Sequence, residues 1–258
     1  MNWQEISGNW VILPRQPLGM IHFLGGALVG TAPHLSYRTL LEWLPKQGYG
    51  VIATPFLSTF DHGAIARQVL SQFESVFDRL QAQNRLGQDY LPIYGLGHSM
   101  GCKLHLLIGS AFQVKRAGNI FLAYNNYPAM RAVPFLESFQ GNPALTVEFV
   151  PSPAETQAII AQEYEVRRNL LIQFSNDDID QTRSLEEVLL QRFPSMTAVQ
   201  TLPGNHLTPL SQDMAWQTGD IFTPFDAIAQ WFKQESTRDL NQLKREILRW
   251  LNPTIGFQ

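Results

Sequence analysis

The sequence predicts an α/β fold, a mostly parallel sheet with helices on both faces. Three observations carry that expectation. Short apolar, β-branched runs alternate with longer segments of helical spacing, the pattern of successive βα units. One run, Leu91 to Leu96, passes directly into Gly97-His98-Ser99-Met100-Gly101, and a Leu-rich helical segment follows. Two later runs end in short polar loops, one with Asp177, Asp178 and Asp180 and the other with His206.

Taken in order, Trp10–Leu13 is a short strand ended by Pro14, and Met20–Leu24 a second that runs into Gly25-Gly26. Residues 37–44 have helical spacing, closed by Pro45 and Gly48. Tyr49–Ala53 is the next strand. Asp61 can cap a long helix whose Ile65, Val69, Phe73, Val76, Phe77 and Leu80 recur at three- and four-residue steps, marking one buried face. Beyond the elbow, a helix covers 101–112. Strands are expected at 119–124, 170–175 and 198–202, and a last amphipathic helix aligns Leu240, Leu243, Ile247 and Leu251. The stretch from about 125 to 168, rich in Pro, Phe and Tyr, interrupts the alternation. It is either a lid over the site or an excursion covering one sheet edge.

At 258 residues the chain suits a single α/β domain, 1–258. An apolar fraction of 45% supplies a core and argues against disorder. A net charge of −3 gives no basic surface for nucleic acid. Residues 1–8 lack the basic run and apolar core of a signal peptide. No apolar stretch approaches the roughly 18 residues of a membrane span. A lone Cys102 cannot form an internal disulfide, which fits a reducing compartment. A cytoplasmic protein is expected, or a stromal one in a plant.

The elbow carries the chemistry. In G-x-S-x-G a strand turns abruptly into a helix with serine at the apex. Glycines stand two residues either side because side chains there would strike backbone. The turn lifts the hydroxyl above the sheet and aims the helix N-terminus at the oxygen that becomes negative. In the α/β-hydrolase fold the order along the chain is Ser, then Asp or Glu, then His. Both later loops sit where strands end at the carboxyl edge, and they follow that order. His206 is the base expected for Ser99, with no other histidine after His105. Asp178 is the preferred acid by its place past the strand, with Asp177 and Asp180 open. The oxyanion donors expected are the backbone N–H of Met100 and one from the loop after Leu24, at Gly26 or Ala27.

Other motifs carry less. Gly25-Gly26-Ala27-Leu28-Val29-Gly30 lacks the G-x-G-x-x-G spacing of a dinucleotide loop. The six histidines show no metal-ligand spacing, so neither cofactor nor metal is expected. His98 and Cys102 read as packing residues.

Several strings beyond the elbow are distinctive: His22-Phe23-Leu24-Gly25-Gly26-Ala27, Tyr37-Arg38-Thr39-Leu40-Leu41-Glu42, Gly48 to Pro55, Thr59-Phe60-Asp61-His62, Asn125-Asn126 and Pro151-Ser152-Pro153. On these the chain resembles an uncharacterised α/β-hydrolase family of cyanobacteria and chloroplasts, over nearly its whole length. The resemblance implies the fold, Ser99 as nucleophile and an intracellular setting. It implies no substrate.

Two functions fit the sequence. One is a serine hydrolase acting on an ester or thioester, a small-molecule acyl substrate. Phe135, Leu136, Phe139 and Phe149 in the insertion favour an apolar acyl group. An acyltransferase would use the same residues. The other is a binding protein that keeps the fold without catalysis. In its favour, the strand before the acids ends Phe174-Ser175-Asn176, where many hydrolases have His-Gly.

Overall fold

A computed structural model describes residues 1–88, 90–132, 148–211 and 237–252. Among these residues eight strands form one sheet: β1 (Gln4–Ile6), β2 (Asn9–Ile12), β3 (Gly19–Leu24), β4 (Tyr49–Ala53), β5 (Ile93–His98), β6 (Gly118–Leu122), β7 (Asn169–Phe174) and β8 (Thr197–Leu202). Their order across the sheet is β1-β2-β4-β3-β5-β6-β7-β8. The β2–β4 and β1–β2 pairs are antiparallel. From β4 to β8 the pairing is parallel throughout. The chain leaves β3 toward one side of the sheet and β5 toward the other. The crevice between their carboxyl ends is therefore the switch point of an open α/β sheet.

The helices described are α1 (Pro33–Ser36), α2 (Arg38–Leu41), α3 (His62–Ala82), α4 (Met100–Ala111), α5 (Ala129–Ala132), α6 (Pro153–Glu163), α7 (Thr182–Arg192) and α8 (Thr237–Leu251). Along the strands alternate residues feed opposite faces. Ile21, Phe23, Leu96, Ile120 and Ile172 pack with Leu40, Leu41 and the expected stripe of α8, Leu240, Leu243, Ile247 and Leu251. Met20 and Ile52 pack with Phe73, Val76 and Leu80 of α3. Phe121 and Leu171 pack with Leu106 of α4 and Ile160 of α6.

Most expected elements stand where the periodicity places them, and Asp61 caps α3 by accepting from the amide of Ala64 at 2.7 Å. Three differ. The 37–44 helix is broken into α2 and a 3-10 turn at Leu44–Gln47, with Tyr37 as the junction after α1. The hairpin strand β1 has too few residues to show a period. Within the 125–168 interruption lies α6, opened by Pro153 and by a capping box in which Ser152 and Glu155 bond each other's amides. Before α6, Val150 donates to the carbonyl of Phe60 and accepts from Gly63, docking this stretch on the start of α3. Phe149 stacks on His62 at 4.2 Å. Phe135, Leu136 and Phe139 lie outside the described residues.

Four buried histidines are held neutral. Burial, with Lys103 nearby, pushes His62 down to about 3, and burial with Arg116 does the same for His105. Burial also lowers His22 and His98 well below the ordinary value. Unfolded histidines titrate near 6.5, so below that pH the unfolded chain binds protons the folded chain refuses. Stability is therefore present at neutral pH and lost as pH falls. Each such histidine contributes about 1.4 kcal/mol of loss per pH unit below 6.5 and above its folded value. Thermal unfolding at pH 7 and pH 5 should show a Tm markedly lower at pH 5. An unchanged Tm would contradict the neutral burial of these groups.

Candidate active site

Ser99 stands between β5 and α4 at φ 53°, ψ −119°, outside the regions an L-residue prefers. Such strain persists only where the surroundings enforce it. Here the strand's hydrogen bonds to β3 and β6 hold one side, and α4, packed against α3 and α6, holds the other. The glycines behave as the motif requires. A Cβ on Gly97 would meet Gly101 and Cys102 backbone at 2.7 Å, and one on Gly101 would run into the carbonyls of Leu24 and Gly25. Gly101→Ala should cost about 3 kcal/mol, because the obstacle is backbone of the neighbouring loop. A denaturant midpoint within error of wild type would refute that packing.

The three acids of the 177–180 loop have separate places. The Asp177 carboxylate, 1% exposed, bonds His206 Nδ1 at 2.7 Å. Asp178, the acid preferred from the sequence, is exposed and has no hydrogen bond to His206 among the described residues. Asp180 accepts from the amide and hydroxyl of Thr182 at 2.8 and 3.0 Å, at the start of α7. Burial raises its carboxyl to about 6, against the lowering effect of those two bonds. The reason for the one-place difference is local. Strand β7 ends at Phe174, and Ser175 and Asn176 still bond the carbonyls of Leu202 and Gly204, extending the pairing with the His206 loop. The first residue past that pairing is Asp177.

A carboxylate only accepts, so His206 carries its proton on Nδ1 and leaves Nε2 with a free lone pair. The turn that holds it is fixed by Gly204 at φ 120°, by Asn205 accepting from the amide of Leu207, and by Leu207 and Leu210 in the core.

The two glycine-loop candidates for the oxyanion donor are also separated. The amide of Gly26 donates to the Tyr37 hydroxyl at 2.8 Å and is taken. The amide of Ala27 has no acceptor among the described residues. Its direction is set because the carbonyl of the same peptide, Gly26 O, accepts from Gly30 N at 2.7 Å, and a trans peptide points N–H and C=O opposite ways. Met100 N is the first amide of α4 and has no partner within the helix.

One residue at the site was not singled out from the sequence. Asn125 donates from Nδ2 to Ser99 Oγ at 3.1 Å. The hydrogen bond of Ser99 Oγ among the described residues is this one, not one to His206. Asn125 is held by its neighbour, since Asn126 N donates to Gln181 Oε1 at 2.6 Å and Asn126 Nδ2 to Pro153 O at 3.0 Å. The string Asn125-Asn126 at a strand's carboxyl end was the available signal. His98, read as packing, instead bonds Tyr37 Oη and the His206 carbonyl, each at 2.8 Å.

With this geometry in view, the chain can be set beside known proteins. A family profile described as a protein of unknown function, DUF1350, matches residues 2–253. None of the curated proteins searched matches. Among solved structures, a soluble variant of monoglyceride lipase from Saccharomyces cerevisiae superposes with a TM-score of 0.62 at 13% identity, over 98% of this chain and 94% of that one. A dienelactone hydrolase from Anabaena variabilis gives 0.61 at 13% identity, over 97% and 96%. Esterase 2 of Thermogutta terrifontis, captured phosphonylated by cyclosarin, gives 0.59 at 11% identity, over 96% and 89%. These likenesses show the α/β-hydrolase fold. Among the described residues no helix is long and apolar enough to cross a membrane.

Proposed function

The chain belongs to the DUF1350 family, and from that premise we propose that this member is a serine hydrolase cleaving an ester or thioester. One observation carries the reading. His206 presents a free Nε2 lone pair because Asp177 holds its Nδ1 proton at 2.7 Å, and its ring lies 4.9 Å from that of His98, the residue before the strained serine, in the fold's order.

In the proposed cycle Ser99 Oγ leaves Asn125 by rotation about χ1 and turns to His206 when a carbonyl binds. Oγ attacks the carbonyl carbon as its proton passes to His206 Nε2. The amides of Met100 and Ala27 hold the oxyanion. The carbon–leaving-group bond breaks and His206 returns the proton to the departing alcohol or thiol. Water then repeats the sequence on the acyl-enzyme. Asp177 orients His206 and stabilises its charged form. Asp178 and Gly26, expected in the site from the sequence, have no part in it.

An apolar acyl group is favoured by the loops at the carboxyl edge. Leu28 follows β3, Leu57 and Phe60 follow β4, and Val150 bonds Phe60; all four are large apolar side chains left exposed. The neighbours named a monoglyceride lipase and an esterase favour ester bonds. The serine's bond to Asn125 favours a second reading, a binding protein with a parked serine.

A fluorophosphonate probe decides between them, followed by a panel of esters and thioesters of graded acyl length. Rapid, stoichiometric labelling and faster turnover of longer acyl chains support the hydrolase. Folded protein that takes no label supports the binding protein. Transfer to an added alcohol in place of water would make it an acyltransferase.

A further inference from the structure

We propose that Tyr37 and His98 are positioning residues, a buried hydrogen-bond chain that holds the oxyanion-side loop and the base loop in register across the nucleophile. The inference rests on the acyl-transfer reading and adds to it two residues that touch neither substrate nor proton in flight.

The chain runs Gly26 N to Tyr37 Oη, Tyr37 Oη to His98 Nδ1 and His98 Nε2 to His206 O, each 2.8 Å. With a neutral His98, only one set of proton positions satisfies it. An amide N–H can only donate, so Tyr37 Oη accepts from Gly26. The phenol has a single hydrogen, and it goes to His98 Nδ1, which must accept. A carbonyl can only accept, so His98 Nε2 carries the ring's proton and donates to His206 O. The neutral His98 imidazole is therefore in the Nε2–H form. Burial favours this, holding the ring well below its ordinary pKa, with His206 as a second lowering influence.

The two ends of the chain flank the reaction. At one end, Gly26 precedes the free amide of Ala27. The N–H of Gly26 is fixed by Tyr37 and its C=O by Gly30 N, so both peptide planes around it are set. Gly26 also lies tight against the elbow: a Cβ there would stand 3.4 Å from His98 Nδ1 and 3.5 Å from Ser99 Cβ. At the other end, His206 is held twice, by Asp177 at the ring and by His98 at the carbonyl. The segment carrying Tyr37 ties to the base loop a second way. Ser211 N donates to Ser36 O, and Thr39 N donates to Ser211 Oγ, both 2.8 Å. Tyr37 is fully buried and His98 is 2% exposed, so water cannot replace a lost link cheaply.

Tyr37→Phe removes one oxygen and leaves Gly26 N and His98 Nδ1 without partners. The control is Tyr164→Phe. Tyr164 is equally buried and its hydroxyl makes two bonds of 2.7 Å, with Asn119 and Asn169, away from the elbow. Fluorophosphonate labelling over a range of probe concentrations separates kinact from KI. Tyr37→Phe should lower kinact by about tenfold to a hundredfold with KI little changed, as expected for a small misplacement of reacting groups. Tyr164→Phe should leave kinact near wild type while losing comparable thermal stability. In the wild type, 15N NMR of the imidazoles should show His98 with a pyrrole-type Nε2 and a pyridine-type Nδ1. That reading needs no variant and stands if Tyr37→Phe does not fold. A labelled wild type with Tyr37→Phe and Tyr164→Phe reacting alike overturns this proposal alone, as does a His98 protonated on Nδ1. A wild type that takes no label overturns the acyl-transfer reading and this one with it.

Discussion

Ser99→Ala protein should take up no fluorophosphonate label and lose ester turnover by about 10⁶-fold, the scale expected when a nucleophile in a triad is removed. The whole effect is expected from one oxygen, because that oxygen forms the bond to the acyl or phosphonyl centre. The fold should be untouched. Alanine at residue 99 keeps the positive φ that the elbow imposes, and it loses only the bond from Asn125. Intact mass after labelling reads the first part and thermal unfolding the second. Label retained in Ser99→Ala at the wild-type rate would place the reactive group elsewhere and end the elbow reading. Turnover retained without label would do so as well.

Asp177→Asn should lower turnover by about 10⁴-fold while Asp178→Asn should stay within a fewfold of wild type. The contrast follows from proton placement. Asp177 as a carboxylate forces the His206 proton onto Nδ1. An amide in its place can donate to Nδ1 instead, which moves the proton to Nε2 and removes the lone pair that must take the serine's proton. The geometry survives and the tautomer is wrong. Asp178 is exposed at the surface, where loss of one charge is worth little. Steady-state turnover of the same ester by the two variants reads the difference. Equal losses in both, or a larger loss in Asp178→Asn, would return the acid to Asp178.

Much of the fold was legible in the sequence because its signals are local. The β-branched runs, the three- and four-residue spacing on α3 and the stripe on α8 each decide which face is buried, and burial dominates the energetics. Tyr49–Ala53 is found as read, and Leu240, Leu243, Ile247 and Leu251 are all buried. The elbow was legible for a similar reason, since close backbone approach leaves room for few side chains there. Where a weak local preference met a tertiary constraint, the reading missed. The expected 37–44 helix starts one residue late because Tyr37 stands as the junction between α1 and α2, its ring and hydroxyl drawn to His98 and Gly26. Nothing in the spacing of residues 37–44 announces a partner 61 positions away.

The site divides in the same way. By itself the sequence determined that the chain has an α/β fold, that Ser99 stands at its elbow and that His206 and an acid from the 177–180 loop follow in order. Those statements need only local pattern and the rule that strands end at one edge. Only the tertiary structure decided that the acid on His206 is Asp177, that the free amide is Ala27 and not Gly26, that Asn125 bonds Ser99 and that His98 bonds the His206 carbonyl. Each of these depends on where a hydrogen bond goes once strands from distant parts of the chain lie side by side. A shift of one residue along a loop leaves composition and period unchanged, yet it turns a carboxylate from solvent onto the His206 ring.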